Sequence, residues 1–297
     1  MSKKKRHARQ KIAKTLVSLL VLLIFIAPVF LCVKWAVGAV NERDPRKVSQ
    51  TVSFKSRTLD NKTPLAPFQE PLVSLSFDDG WESVYTKAFP ILQANGLRTT
   101  QFIISGSLDN YSYMSVAQLH AMQNAGTEIA SHTITHPDLT TLDDAALKHE
   151  LAGSKSQLSA EFGEIKDFTS PYGAYNAHTL QTIGNYYRSQ KNAEGDPAAS
   201  ELEAINTKDS FKALNIKSYS VRQSTTLNDI TKLLKAAQQN NGWLVLTYHQ
   251  IDYSGEEFSV SPDVFKQQAK LVSSSKMRAP TMGQVLDKLV PKQAGQQ

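Results

Sequence analysis

Four short polar clusters, each following a run of apolar, β-prone residues, carry side chains able to do chemistry together. They are Ser76-Phe77-Asp78-Asp79-Gly80, Ser131-His132-Thr133-Ile134-Thr135-His136-Pro137, Ser170-Pro171-Tyr172-Gly173 and Thr247-Tyr248-His249. His132 and His136 stand four apart, which sets both imidazoles on one side of a helical turn or tight loop, a spacing used for metal ligands. A carboxylate from another loop completes three protein ligands and leaves positions open for water and substrate. Asp78 and Asp79 are adjacent, so in an extended or turning chain they diverge. One can bind a metal while the other faces the substrate. Asp79 as ligand and Asp78 as general base is one such division, and it requires that two identical side chains sit in different environments. His249, from a distant strand end, can protonate a leaving group. Each cluster alone is ordinary: Asp-Asp-Gly is a common turn, and a lone His-x-x-x-His is a common solvated helix pair. Their order at successive strand ends is what carries weight. His7, His120, His149 and His178 lack such partners and read as core or surface histidines.

The elements that must position these clusters alternate between strand and helix from residue 72 onward. Leu72–Phe77, Thr99–Ile104, Thr127–Ser131, Asp167–Ser170, Ile216–Val221 and Trp243–Tyr248 read as strands. Helical spacing fills Ser83–Asn95, Val116–Asn124, Leu142–Phe162, Ala177–Gly184, Asp229–Asn240 and Pro262–Ser273. The stretch Arg188–Ser210 gives no clear pattern. Repeated βα units predict a parallel sheet with helices outside it, open or closed into a barrel, and in such folds the reactive groups lie beyond the carboxyl ends of the strands.

The 297 residues are 41% hydrophobic and 20% charged, which fits a folded protein and excludes a disordered tail, a fibre or a multi-span membrane protein. Cys32 is the sole cysteine, so neither an intramolecular disulfide nor a cysteine zinc cluster can form. Of the 33 Lys and Arg, eight lie in residues 1–40, which hold no Asp or Glu; the rest of the chain carries 25 cations against 27 anions. The basic balance therefore belongs to a tail, and no nucleic-acid partner is expected.

From Leu16 to Val33 the chain reads LVSLLVLLIFIAPVFLCV without a charge. As a helix these residues rise about 27 Å, close to the ~30 Å hydrocarbon core, and the cationic residues before them favour a cytoplasmic amino terminus. The expected organisation is a cytoplasmic basic tail over 1–14, a transmembrane signal anchor over 15–40, a proline-punctuated linker and lead-in over 41–70 with a weak edge strand at Val48–Phe54, a main domain over 71–290 and a tail over 291–297. The main domain is expected outside the cytoplasm, anchored in the cell membrane, or secreted if the small residues Ala36-Val37-Gly38-Ala39 are cleaved.

The motifs SFDDG, SHTITHP and SPYG with a late strand-end histidine resemble the polysaccharide deacetylases of the NodB-homology type, carbohydrate esterase family 4, over roughly residues 70–290. The branch that deacetylates poly-N-acetylglucosamine is the most similar. The resemblance implies a distorted (β/α) barrel of fewer than eight strands. It also implies one divalent ion, zinc with cobalt or nickel as alternatives, held by Asp79, His132 and His136. By the same likeness Asp78 is the base, His249 the acid and the Tyr172 backbone N–H the oxyanion donor, with Trp81 and Tyr172 lining a sugar subsite. The implied activity is metal-assisted hydrolysis of N-acetyl groups on an N-acetylglucosamine-containing polysaccharide. Two departures stand out. Thr169 occupies the place of the family arginine that braces the base, and the usual Asp-Trp motif behind the catalytic histidine is absent. Arg222, just after the Ile216–Val221 strand, is the candidate replacement brace.

Other classes share part of this residue set. A non-catalytic glycan-binding domain needs no Asp78 or His249, and an O-acetyl esterase acting on xylan would use the same chemistry on another bond. A non-haem iron oxygenase also uses two histidines and a carboxylate, but its His-x-Asp spacing is missing.

Overall fold

The computed structural model describes residues 64–192 and 201–290. The expected anchor, the first part of the linker with its edge strand, and the tail 291–297 lie outside them. Among the described residues no helix is long and apolar enough to cross a membrane.

Eight strands form one sheet: β1 (Leu72–Phe77), β2 (Thr99–Ile103), β3 (Glu128–Ser131), β4 (Asp167–Thr169), β5 (Ser189–Lys191), β6 (Ile205–Asn206), β7 (Tyr219–Ser220) and β8 (Trp243–Tyr248). Their order is β5-β4-β3-β2-β1-β8-β6, with β7 also on β8. All pairings are parallel except the two-residue β6, which runs antiparallel to β8. A parallel bridge from Lys191 to Ile216 joins the β5 edge to the segment entering β7, so the sheet curls round on itself. This is a distorted (β/α) barrel. The strand count corrects the expectation of fewer than eight: two-residue β6, antiparallel, and β7, parallel, share the edge of β8 and add to the six other strands.

The helices are α1 (Phe89–Ala94), α2 (Val116–Asn124), α3 (Asp144–Phe162), α4 (Ala177–Gly184), α5 (Leu227–Gln239), α6 (Pro262–Ser274) and α7 (Met282–Leu289). Several starts are fixed locally: Ser115 with Gln118, Thr226 with Asp229 and Thr281 with Gln284 form capping boxes that satisfy otherwise orphaned N–H groups. The predicted helix over Ser83–Asn95 begins instead as a π turn, Val84–Ala88, before α1.

Two apolar clusters lie on opposite faces of the sheet. Val73, Leu75, Phe77, Leu244, Leu246 and Tyr248 belong to the larger one, beneath the helices. Leu72, Phe102, Ala130, Trp243 and Val245 form the smaller one with Met282, Val285 and Leu286 of α7. The period-2 pleat therefore turns residues 72, 74, 76 and 78 inward on β1, 128, 130 and 132 on β3, and 243, 245, 247 and 249 on β8. Asp78, His132 and His249 are the top residues of these inward rows. A one-residue slip would turn all of them outward. At the amino end of the barrel α7 acts as a plug: Met282 N–H donates to Thr100 Oγ1 (3.0 Å) and Gly283 N–H to Glu128 Oε2 (2.7 Å).

Candidate active site

Strand register brings the distant clusters to one level. Phe77 pairs with Tyr248, and Asp78 N–H donates to Tyr248 O at 2.9 Å, so Asp78 and His249 leave the sheet side by side. Ile103 pairs with Ser131, and His132 N–H donates to Ile103 O at 2.9 Å.

Asp79, His132 and His136 converge, their ligand atoms all within 4.8 Å of one another. Asp79 Oδ1 stands 3.4 Å from His132 Nε2 and 3.5 Å from His136 Nε2. Two ligands about 2.1 Å from one ion at a tetrahedral angle are about 3.4 Å apart, so these donors fit a zinc-sized cation. Their chemistry fits as well. His132 Nδ1 lies 2.8 Å from the Thr169 carbonyl, which cannot donate; the ring therefore donates from Nδ1 and turns Nε2 toward Asp79. Burial, helped by the charge of His132, pushes His136 down to about 4 against the pull of Asp79 and Asp78, so this ring is neutral and ligand-ready at pH 7. Burial alone would raise the Asp79 carboxyl; in their protonated forms His132, by hydrogen bond and charge, and then His249 and His136 outweigh it and hold the group well below the carboxylate range. Trp81 Nε1–H donates to the other oxygen, Asp79 Oδ2, at 2.9 Å, and its ring stacks on Tyr113 at 4.7 Å.

The loop carrying the histidines is held under strain. Asp79, Thr133, His136 and Tyr172 all have positive φ, between 58° and 75°, a region that L residues with a Cβ rarely adopt, and β-branched Thr133 least of all. Glu150 of α3 compensates. Its buried carboxylate accepts Ile134 N–H (2.8 Å), Thr135 N–H (3.0 Å) and Thr135 Oγ1–H (2.7 Å). Thr133 Oγ1 accepts the N–H of His136 at 2.9 Å and donates to the His132 carbonyl. Close packing completes the support: a Cβ at Gly106 would lie 2.6 Å from Ile134 O, and one at Gly153 2.5 Å from Ile134 Cδ1.

Asp78 faces a different environment from its neighbour. Its Oδ2 accepts from Lys191 Nζ at 2.8 Å, while Oδ1 is buried with no hydrogen-bond partner among the described residues. His249 Nδ1 is likewise buried without one, and its ring packs on Phe258 at 4.9 Å. Burial pushes His249 below the usual imidazole value; Asp78 and Asp79 pull it up, Lys191 and His132 push it further down. Two orphaned buried polar atoms beside a set of metal-type donors call for water or a ligand between them.

The remaining expected residues are placed as follows. Tyr172 sits at the centre of the 3-10 turn Pro171–Gly173 with φ 58°, its exposed ring 4.6 Å from His136. Arg222 does not brace Asp78. It ion-pairs with Glu257 at the surface and lies over Phe258, because it follows β7, on the opposite side of β8 from β1 and Asp78. Lys191 stands where that brace was expected. Reading by hydropathy misses it: β5 is Ser-Gln-Lys, fully buried yet wholly polar, since its side chains serve Asp167, Ser170 and Asp78. Glu150 is likewise hidden from such a reading, as one of three acids on a 19-residue helix. A buried position in the apolar row of α3 was the signal available.

Residues 66–187 match the family model described as polysaccharide deacetylase. Over that stretch the chain is similar to polysaccharide deacetylases. The matched stretch includes Asp78, Asp79, His132, His136 and Tyr172 and ends before Lys191 and His249. The chain is 34% identical over 113 residues to the Bacillus subtilis protein YxkH, covering 38% of this chain and 40% of that one. It is 33% identical over 115 residues to a chitin deacetylase of a Pestalotiopsis species, covering 37% of each. A chitooligosaccharide deacetylase of Sinorhizobium fredii is 27% identical over 118 residues, 39% of this chain and 53% of the relative. The chain thus spans about half or less of the length of these curated relatives. Among solved structures, one described as T48 deacetylase with substrate superposes with a TM-score of 0.53 at 18% identity, covering 75% of this chain and 94% of that one. The Xyl-CE4 domain of a multidomain xylanase from the hindgut metagenome of Trinervitermes trinervoides gives 0.50 at 20%, covering 74% and 91%. At these identities the likeness is one of fold.

Proposed function

We propose that the protein is a membrane-anchored, extracytoplasmic, metal-dependent hydrolase that removes N-acetyl groups from N-acetylglucosamine-containing polysaccharide. The observation that carries this reading is the convergence of Asp79, His132 and His136 with two orphaned buried atoms, Asp78 Oδ1 and His249 Nδ1. The names of the chitin and chitooligosaccharide deacetylase relatives support the substrate class. The uncharged run Leu16–Val33 after a cationic tail supports the anchor.

A divalent cation held by Asp79, His132 and His136, zinc in first place with cobalt or nickel as substitutes, would supply Lewis-acid polarisation of the acetyl carbonyl and a more acidic water. The protein's own groups do the rest. Asp78 Oδ1 accepts a proton from the attacking water as its oxygen bonds to the acetyl carbon. The Tyr172 N–H donates to the developing oxyanion, a contribution that costs about 3–4 kcal/mol when such a donor is lost. When the C–N bond breaks, the sugar nitrogen takes a proton from protonated His249, and the products are acetate and a free amino sugar. Trp81 and Tyr172 border the position of the sugar ring.

The test is acetate release by the full chain in detergent from β-1,6-linked and β-1,4-linked N-acetylglucosamine oligomers, peptidoglycan and acetylated xylan. The β-1,6-linked polymer is the first candidate, since Thr169 replaces the arginine that the poly-N-acetylglucosamine branch also tends to lack. Release from the amide-linked glycans and not from xylan is expected. Release from xylan alone would replace this reading with an O-acetyl esterase.

A further inference from the structure

Lys191 has no exposed surface, yet it is a cation inside a barrel. A buried ammonium is tolerated only when its charge is paired and its three donors are used. Lys191 is paired, with two donors in hydrogen bonds and the ammonium also facing an aromatic ring. Nζ donates to Asp78 Oδ2 at 2.8 Å and to Thr247 Oγ1 at 3.2 Å, and it lies 5.1 Å from the centroid of the Phe102 ring, whose face attracts cations. Thr247 Oγ1 accepts from Lys191, so its own proton is free to point to Ser76 Oγ, 2.9 Å away. The side chain thus crosses the barrel from β5 to β1 and β8, which are not its neighbours in the sheet.

Thr169, on the neighbouring strand β4, makes this possible twice over. Its short side chain leaves the interior free for the lysine stem. Its hydroxyl donates to the Lys191 carbonyl at 3.0 Å, fixing the backbone from which that stem departs. The Thr169 carbonyl meanwhile orients His132. One residue on β4 therefore supports both the ligand set and the cation behind the base.

We infer that Lys191 is the positioning residue of the general base: by holding Asp78 Oδ2, it keeps the carboxylate turned so that only Oδ1 faces the reacting water. The inference rests on the deacetylase reading and adds to it the source of the base's orientation. The two carboxylate oxygens bear it out in their unequal treatment, one held by a cation and the other buried without a partner. Lys191 is wholly buried and its Nζ bonds to Asp78 and Thr247, not to the three ligand side chains, so its effect passes through Asp78.

The experiment compares the full chain with Lys191→Met, Asp78→Asn and the double variant, reading metal content, melting temperature and release of radiolabelled acetate from an N-acetylglucosamine pentamer. Lys191→Met should bind one divalent ion with the parent's affinity and lose at least 100-fold in kcat, with KM within threefold. On the Asp78→Asn background the same change should alter kcat less than threefold, because the residue through which it acts is already disabled. The double variant should melt above Lys191→Met, since it leaves no unpaired buried charge. If Lys191→Met does not fold, the comparison of the double variant with Asp78→Asn decides. Turnover of Lys191→Met at the parent's rate, or a further tenfold loss on the Asp78→Asn background, overturns the inference. If the parent releases no acetate, the deacetylase reading fails, and the melts alone judge the pair: Lys191→Met melting no lower than the double variant would refute it.

Discussion

Glu150→Ala is expected to weaken divalent-metal binding although Glu150 is not a ligand. Its carboxylate receives two backbone N–H groups and one hydroxyl from residues 134 and 135, between the two ligand histidines. Bonds to a charged acceptor are worth about 1.5–3 kcal/mol each when buried, but Thr135 is exposed and Ile134 half-buried, so water replaces part of what is lost. A net loss of about 2–3 kcal/mol follows, or about 5–10 °C in melting temperature for a domain of this size. The same bonds hold Thr133 and His136 at positive φ, each a cost of about 1–3 kcal/mol that the loop sheds once released. As the loop relaxes, His136 Nε2 leaves its place 3.5 Å from Asp79 Oδ1. Groups that orient metal ligands typically carry 10–100-fold in affinity, and that loss is expected here. The assay is zinc titration of the apo-protein against a competing chelator, alongside a thermal melt. An unchanged zinc affinity in a variant whose melt has fallen by the stated amount would refute the role of Glu150 in holding the loop.

Trp81→Phe removes the N–H that reaches Asp79 Oδ2 but keeps a ring against Tyr113, so metal affinity should fall about 10–100-fold with little change in melting temperature. At the closed end of the barrel, burial, with the charge and hydrogen bond of Asp167, pushes Glu128 from 4.5 up to about 8 against Gly283 N–H and Thr100. The folded chain then binds more protons than the unfolded one between those values, so stability should decline as pH rises from about 4.5 to about 8; a Glu128→Gln variant should flatten that slope in melts taken across this range. If the amino-terminal segment is an uncleaved anchor, mass spectrometry of the membrane fraction should find peptides from residues 1–14, whereas a mature start near Val40 would contradict the anchor.

Much of this was readable because pattern and chemistry agree where a strand is apolar on both faces. β1 and β8, both buried throughout, begin and end where their runs of apolar residues do, and the ionisable residues that follow them stand at the site. The ligand cluster was legible for a further reason: Asp79, His132 and His136 lie within two residues of turn-forming Gly80 and Pro137 or four apart in sequence. β5 was not legible, because burial inside a barrel with a polar upper half selects Ser, Gln and Lys, which hydropathy assigns to solvent. β6 and β7 are two residues each and are defined by pairing with β8 rather than by propensity. The brace on Asp78 escaped for the same reason. A contact between residues 78 and 191 depends on how far the sheet curls, and no local spacing encodes that curl.

The account turns on two adjacent aspartates with different tasks, and the most direct test is acetate released per metal ion bound in Asp78→Asn, Asp79→Asn and His249→Ala. Asp79→Asn should lose both ion and activity, since a neutral amide is a poor ligand there. Asp78→Asn and His249→Ala should keep the ion and the fold but lose about 10²–10⁴-fold in turnover, the usual contribution of a general acid or base. Full turnover in both Asp78→Asn and His249→Ala, or retention of the ion by Asp79→Asn with parent affinity, would contradict it.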